Sequence, residues 1–227
     1  MCISDRFDPD LKRNRKNSMD AANAALVDAQ RKINTHDEDL LFRSLRSAVN
    51  ATVRTNAYRT DKVRHYLSFK FECDNLELMA EPKPVNEIFV SAVDVEGVHL
   101  RFGKVARGGL RWSDRDDYRT EVLGLATTQV VKNVLIVPTG AKGGFKLKQA
   151  DPDPSIRREQ AEELDEICIR GLLDVTDNDV NGKISPPPRV VRHDDDDAYL
   201  VVAADKGTAH LSDTANGLAR EYGFWLD

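Results

Sequence analysis

Two short glycine runs in the middle of the sequence carry basic residues whose chemistry suits a small anionic ligand. Lys142 lies within the run 139–144, Thr-Gly-Ala-Lys-Gly-Gly, and Arg107 directly precedes Gly108 and a second glycine. Glycine lets a backbone approach a ligand closely, an arginine fork matches a carboxylate, and a lysine can act as a base where its surroundings favour the neutral amine. The pattern predicts a carboxylate site with proton-transfer chemistry. The alternative for each run is a tight turn with solvated basic side chains.

Three further polar side chains are predicted to join this site from neighbouring elements. Gln129 and Lys132 are three residues apart on a predicted helix, so they face the same way. Asp205 follows a predicted strand over residues 198–203, and functional groups of α/β proteins gather at the carboxyl ends of strands. A carboxylate close to Lys142 would supply a second group for proton transfer. Surface decoration, for the helical pair, and a structural turn, for Asp205, are the alternatives.

The run 139–144 is predicted to be a loop, because the apolar segment 134–137 before it suits a strand buried on both faces. A phosphate-binding loop is the rival interpretation of a glycine-rich run with a lysine. That motif needs glycine before the lysine, serine or threonine after it, and another glycine six residues back. Ala141, Gly143 and Ile136 occupy those three positions, so the rival fails at each of them.

Helical and strand patterns alternate along the chain and predict an α/β fold, with a mixed sheet flanked by helices and antiparallel pairing near residues 66–105. Two further strands are predicted over residues 87–95 and 98–105, joined at Glu96-Gly97, and two helices over residues 117–133 and 156–173. The Asp-rich segment 174–197 is predicted to be a solvated loop. A last helix is predicted to be capped by Ser212 and to stop at Gly223. Residues 1–34 are polar and predict a weakly ordered or peripheral leader, while residues 35–227 form the main domain.

The sequence makes more detailed predictions for one helix and one strand. Thr35 and Glu38 form a capping-box pattern at the start of an amphipathic helix that is expected to reach about Asn56. The segment 66–72 alternates apolar and polar residues, which predicts a half-buried strand. Its apolar residues, exemplified by Phe69, are expected to face the core.

Composition argues against several classes of protein. The formal charge of -5 over 227 residues leaves no broad basic footprint, and the short basic run 12–16 lacks the aromatic residues typical of nucleic-acid binding. No apolar run has the length of a membrane span, and the start of the chain does not resemble a secretion signal. The three widely spaced cysteines fit neither a disulfide framework nor a zinc site, so no metal is predicted.

Several long motifs, in order, resemble the large bacterial NAD-specific glutamate dehydrogenases. They are Glu96–Arg101, Gly103–Arg115, Tyr118–Leu125, Gln129–Asn133, Ile136–Phe145, Arg170–Asn178 and Val201–Ala209. The resemblance covers about residues 37–227 and is densest over 96–145. It implies the fold of a substrate domain of the amino-acid dehydrogenase type.

The resemblance also implies roles for matching positions. Arg107, before Gly108, occupies the place of the basic residue that holds a substrate carboxylate. Gln129 and Lys132 match further substrate-binding positions. Lys142 matches the catalytic lysine.

The acid that shuttles a proton in this family is placed on Asp205. The implied reaction is oxidative deamination of L-glutamate to 2-oxoglutarate and ammonia, in a cytoplasmic homo-oligomeric enzyme that uses NAD. No Gly-x-Gly-x-x-Gly run occurs in the sequence, so the dinucleotide-binding Rossmann domain is predicted to be absent and the chain to be a fragment inactive alone. A non-catalytic glutamate-binding or assembly module that pairs with another chain is the alternative.

Overall fold

A computed structural model describes residues 6–11, 15–61, 64–79, 81–132, 139–204 and 211–226 of the chain. The helices are α1 Arg15–Gln30, α2 His36–Ala51, α3 Tyr118–Lys132, α4 Pro154–Leu173 and α5 Leu211–Glu221. The strands are β1 Thr52–Thr55, β2 Tyr66–Glu72, β3 Asn86–Ala92, β4 Val95–Arg101, β5 Ala106–Trp112, β6 Thr139–Leu147, β7 Asn178–Val180, β8 Lys183–Ser185 and β9 Val201–Ala204. The predicted apolar strand 134–137 lies entirely within residues 133–138, which are outside the described ranges.

Seven strands form one mixed sheet in the order β1-β2-β3-β4-β6-β5-β9, and β7 and β8 form a separate hairpin. Strands β1 to β4 and β6 pair antiparallel, whereas β6, β5 and β9 pair parallel. The fold is therefore α/β with a mixed sheet flanked by helices, as the alternating patterns predicted. Within the described residues, no helix combines the length and apolar character needed to cross a membrane.

Helices cover the two faces of the sheet unequally. The α4 face, which includes Val90, His99 and Phe145, is covered by α4, and α5 packs beside α4 against β9. The α3 face, which includes Val98 and Lys142, is covered by α3 over β6 and β4. The larger apolar core lies on the α4 face, and a smaller one lies under α3.

The ends of several elements match the sequence prediction, because local signals set them. Helix α3 begins one residue after the predicted start, and the chain after α5 turns at Gly223, whose φ of 60° favours glycine. The side chain of Asp153 accepts a hydrogen bond from the Ser155 amide and caps α4. Ser212 is not the cap of α5, since it lies inside the helix.

Helix α2 starts as predicted but ends early. Thr35 is its N-cap and accepts a hydrogen bond from the Glu38 amide, while Glu38 accepts one from the Thr35 hydroxyl. The helix ends at Ala51, not near Asn56, because residues 52–55 become β1 and pair with β2. The prediction was wrong there because a strand partner fourteen or more residues away outweighs a helical pattern.

The strand β2 has the predicted bounds but the opposite orientation. Ser68 and Lys70 are buried, whereas Leu67 is 45% exposed and Phe69 is half-buried. A lysine can face inward here because its ammonium meets two carboxylates there. Alternation therefore predicted the strand correctly and its inner face wrongly.

The turn between β3 and β4 also differs from the prediction. The strands meet at Val93 and Asp94, and the predicted turn residues Glu96 and Gly97 lie inside β4. Gly97 is needed for packing rather than for turning, since an added Cβ would lie 2.9 Å from the sulfur of Cys168 on α4.

The predicted glycine loop 139–144 is the first part of β6, and the loop prediction was wrong. An added Cβ at Gly143 would lie 2.3 Å from the Leu110 side chain, and one at Gly144 would lie 2.5 Å from the Val122 side chain. These glycines make room for side chains from β5 and α3. Small residues in a strand can thus mark close packing as well as a turn.

Gly108 lies in β5 and lets β5 approach β6. An added Cβ there would lie 1.5 Å from the carbonyl oxygen of Ala141, a backbone atom that cannot move aside alone. We expect Gly108→Ala to lower the free energy of unfolding by about 3 kcal/mol or more, as urea unfolding would measure. Gly124→Ala is the matched control, since the space around this helical glycine is open and alanine should stabilise by about 0.5–1 kcal/mol. Equal effects of the two substitutions would contradict the close approach of the strands.

The Asp-rich segment 174–197 is exposed in its middle part, as its composition predicted, but its two ends carry carboxylates that are buried or largely buried. Asp177 is fully buried and pairs with Arg54 at 2.9 Å and with Arg192 at 3.0 Å. Asp194 accepts from Arg54 and from Lys70, each at 2.6 Å. The polar run folds over the end of the sheet because buried cations on β1, β2 and β4 require carboxylates.

Asp197 completes this buried ionic network. It accepts hydrogen bonds from Lys70 at 2.7 Å and from Arg101 at 2.6 Å. Burial by itself raises the pKa of Asp197, but the two cations bring it down to about 2. The carboxylate therefore stays ionised well below neutral pH.

A second buried cluster centres on Asp174, whose side chain is fully buried. Five side chains donate hydrogen bonds to its carboxylate at 2.6–3.0 Å, namely those of Asn56, Arg59, Arg64, Tyr66 and Tyr222. The cluster ties β2, α5 and the end of α4 together.

His99 on β4 makes stability depend on pH. Its side chain is buried, neither ring nitrogen has a hydrogen-bond partner among the described residues, and burial together with nearby Arg101 lowers its pKa to about 3. The unfolded chain binds the proton below about pH 6.5, so this contribution to stability is complete above that pH and is lost as the pH falls towards 3.

From pH 7 to pH 5, His99 should lower the free energy of unfolding by about 2 kcal/mol. We expect His99→Leu to remove that part of the pH dependence in urea titrations at the two pH values. An unchanged pH dependence in the variant would contradict this role of the buried imidazole.

Candidate functional site on the α3 face

Arg107 and Lys142 lie on the same face of two neighbouring parallel strands. The register pairs Arg107 with Gly140 and Arg111 with Gly144, so Lys142 stands between the two arginines on the adjacent strand. Side chains on alternate positions share a face, which places all three cations on the α3 face. Strand spacing puts the Cα atoms of Arg107 and Lys142 about 8 Å apart.

The environments of the two predicted site cations differ. Arg107 is exposed, and among the described residues no carboxylate pairs with its guanidinium. Lys142 is half-buried in the middle of the sheet, opposite Leu100 of β4. Gly109 of β5 and Gly140 of β6 lie on the same face beside them, so these two positions add no side chain to the surface between the cations. This arrangement can hold a small anion against the sheet.

Helix α3 brings the predicted residues Gln129 and Lys132 to the same face. The helix begins beside Gly144, which Val122 covers, and leads back towards the start of β6 at Thr139. Its last turns, with Gln129 and Lys132, therefore lie near the end of β6 that carries the site. The side chains of these two residues and the whole of Asp205 are outside the described residues, so their roles remain predictions.

Two sets of polar contacts attach the first turns of α3 to the sheet. Arg119 donates to both carboxylate oxygens of Glu87 on β3, at 2.9 and 2.5 Å. Glu121 accepts a hydrogen bond from the hydroxyl of Ser113 at 2.8 Å and pairs with Arg111 of β5 at 3.2 Å. The hydrogen bond with Glu87 raises the pKa of Arg119.

These contacts were not predicted from the sequence. Glu87 and Arg119 are separated by 32 residues, and nothing in their local patterns connects them. Arg111 stands in a motif that carries the family resemblance, but its place on the α3 face depends on the register of β5 with β6.

The turn between β5 and α3 does not fit a dinucleotide cofactor. Strand β5, helix α3 and strand β6 form a parallel βαβ unit, and the diphosphate of a dinucleotide binds at the first turn of such units. Here that turn, residues 113–117, reads Ser-Asp-Arg-Asp-Asp and contains no glycine. Its three carboxylates would repel a diphosphate at the start of α3. The turn 113–117 therefore suits no dinucleotide, whereas the sheet surface beside Arg107 can take a small anion.

The described part of the chain is thus an α/β domain with basic side chains on one face of its sheet. The sequence model described as "Bacterial NAD-glutamate dehydrogenase, catalytic domain" matches residues 25–227. The chain belongs to this family of bacterial NAD-dependent glutamate dehydrogenases.

Curated relatives support the same assignment. The chain is 53% identical over 208 residues to an NAD-specific glutamate dehydrogenase of Pseudomonas aeruginosa, with 89% of this chain and 13% of the relative covered. It is 49% identical over 227 residues to the protein of the same name in Halomonas elongata, covering 97% of this chain and 14% of the relative. The Mycobacterium tuberculosis protein of that name is 51% identical over 220 residues, covering 91% and 13%. The chain spans only about an eighth of the length of these relatives.

Proposed function

We propose that this chain is the substrate-binding part of an NAD-dependent glutamate dehydrogenase, which oxidatively deaminates L-glutamate to 2-oxoglutarate and ammonia. The observation that carries the proposal is the placement of Arg107 and Lys142 on one face of neighbouring parallel strands, where α3, the helix that bears Gln129 and Lys132, packs over β6. In this proposal residues 35–227 are an incomplete substrate domain and residues 1–34 are a peripheral leader.

The two carboxylates of glutamate give each cation a role. Arg107, exposed at the start of β5, takes one carboxylate with its planar fork, and Gly108 keeps the backbone close. Lys132 and Gln129 take the other carboxylate from the end of α3. Held at both ends, the substrate presents its α-carbon and amino group to Lys142, which lies between them on β6.

Lys142 and Asp205 perform the proton transfers in this proposal. After the α-carbon loses hydride, the iminium carbon is attacked by a water molecule that gives its proton to the amine of Lys142. Asp205 gives a proton to the carbinolamine nitrogen, and its carboxylate then takes the hydroxyl proton as ammonia leaves and the ketone of 2-oxoglutarate forms. The hydride acceptor NAD is assigned to a part of the enzyme other than these residues, because the turn 113–117 does not fit it.

The binding of dicarboxylates by the purified 227-residue chain tests the proposal. Calorimetry should detect 2-oxoglutarate and L-glutamate binding, and Arg107→Ala and Lys142→Ala should each weaken it at least tenfold. Arg158→Ala is the control, since this exposed arginine of α4 pairs with Glu162 away from the α3 face. The same chain should give no measurable reduction of NAD with glutamate. Absence of binding by the unmodified chain would overturn the proposal.

A non-catalytic glutamate-binding or assembly module is the second candidate, favoured by the pairing of an anion site with an acidic turn that suits no dinucleotide. Addition of a polypeptide that carries a dinucleotide-binding domain distinguishes the enzyme from the binding module. Glutamate-dependent NAD reduction by the mixture supports the enzyme, and binding without reduction supports the module.

We further infer that the complete enzyme is cytoplasmic, takes part in amino-acid catabolism and assembles from several copies of one chain, as the family resemblance implies. Cell fractionation and light scattering of the complete protein test the location and the assembly.

A further inference from the structure

We propose that the ion pair between Glu87 and Arg119 is a positioning element that aligns α3 with Lys142. The inference rests on the proposed function, because it concerns how the substrate-binding end of α3 is placed. Neither residue touches the reacting atoms, and both act through the helix.

Glu87 shares one transverse row of the sheet with Lys142. The register pairs Glu87 of β3 with Leu100 of β4, and Leu100 with Lys142 of β6. All three side chains point to the α3 face. With strands about 4.8 Å apart, the Cα atoms of Glu87 and Lys142 lie roughly 10 Å from each other. A contact between α3 and Glu87 therefore fixes the position of the helix relative to the row of residues that contains Lys142, the proposed base.

The ion pair between Glu87 and Arg119 restricts the rotation of α3 relative to the sheet as well as its distance from it. Arg119 presents two nitrogens to two oxygens, so the planes of the guanidinium and the carboxylate are set relative to each other. The side chain of Glu87 is only 6% exposed, so water competes little for its oxygens. A single point contact would allow the helix to pivot, and a two-point contact does not.

Glu121 restricts the movement of the same helix on its other side. It pairs with Arg111 and accepts from Ser113, both at the β5 side, while Arg119 reaches β3. The two bridges lie on either side of β4 and β6, with Val122 seated on Gly144 between them. Apolar packing holds α3 against the sheet, and the two bridges set its direction.

The direction matters because the substrate-binding residues lie far along the helix. Ten residues separate Arg119 from Gln129, or about 15 Å of helix. A tilt of about 5° at Arg119 would move Gln129 by roughly 1.3 Å. A misplacement of about 1 Å in a binding or catalytic group can cost up to a hundredfold in rate. Loss of the pair should therefore weaken substrate binding without direct contact with substrate.

Calorimetric titration of the 227-residue chain with 2-oxoglutarate tests the inference. Arg119→Gln should raise Kd at least tenfold, and the exchanged pair Glu87→Arg with Arg119→Glu should recover a large part of that loss. Arg115→Gln breaks the exposed ion pair with Asp117 at the same end of α3 and should leave Kd unchanged.

Val122→Ala separates positioning from general stability. It removes buried packing of α3, which lowers the unfolding midpoint, but keeps both bridges. We expect it to change Kd less than threefold at a temperature where every variant is folded. A loss of affinity equal to that of Arg119→Gln would overturn the inference, and so would an unchanged Kd in Arg119→Gln. No binding by the unmodified chain would overturn the proposed function and this inference with it.

Discussion

Lys142→Ala should lower kcat about 10²–10⁴-fold in a complete dehydrogenase that contains this segment. The expectation follows from the proposed role of Lys142, which lies between two arginines on the α3 face, as the group that takes the proton of the attacking water. The fold should persist, because a half-buried side chain is shortened without placing a polar group in the core. Steady-state rates with glutamate and NAD, together with circular dichroism, give the comparison.

Lys146→Ala is the matched control for this prediction. Lys146 lies on the same strand and the same face, four residues further along, where it pairs with Asp116 in the turn before α3. Its removal should change kcat by less than about threefold, as expected for a surface ion pair. Turnover close to normal in Lys142→Ala would show that this lysine is not the base. An equal loss in both variants would show that the effect is not specific to Lys142.

Asp177→Asn should lower the free energy of unfolding of this chain by about 3–5 kcal/mol. The substitution leaves the guanidinium of Arg54, whose side chain is fully buried, without one of its carboxylate partners. Asp177 also pairs with Arg192 and accepts a hydrogen bond from the amide of Asp197. Urea unfolding at neutral pH, followed by circular dichroism, measures the difference.

Asp195→Asn controls for the loss of a negative charge in the same acidic run. The side chain of Asp195 is 84% exposed and pairs with Lys104, which is 71% exposed, so its removal should change stability by less than about 0.5 kcal/mol. If Asp177→Asn stays within about 1 kcal/mol of the unmodified chain, the ionic network does not hold the segment 174–197 on the sheet.

Local patterns in the sequence determined much of the secondary structure. The bounds of β2 and α3, the cap of α2 at Thr35 and the stop after α5 at Gly223 were predicted because each depends on residues a few positions apart. The family was also predicted from sequence, since several long motifs in a set order seldom occur together by chance. None of these predictions required knowledge of which strands are neighbours.

Strand neighbours decided where the candidate site lies. The run around Lys142 was predicted as a loop, and it is a strand because β4 and β5 pair with it on both sides. Its glycines accommodate Leu110 and Val122, which approach from other elements. Whether a glycine serves a turn or a close contact depends on what packs against it, and local sequence does not contain that information.

The sequence by itself determined the family and the α/β class, and it singled out the cations that are proposed to hold a dicarboxylate. Only the tertiary structure decided that Arg107 and Lys142 share a face, that Lys70 points inward and that Glu87 anchors α3. The physical reason is that charge pairing acts between residues that are distant in sequence, as Arg54 and Asp177 are by 123 positions. Buried charges must find partners, and that requirement overrides the local rule that polar runs are exposed.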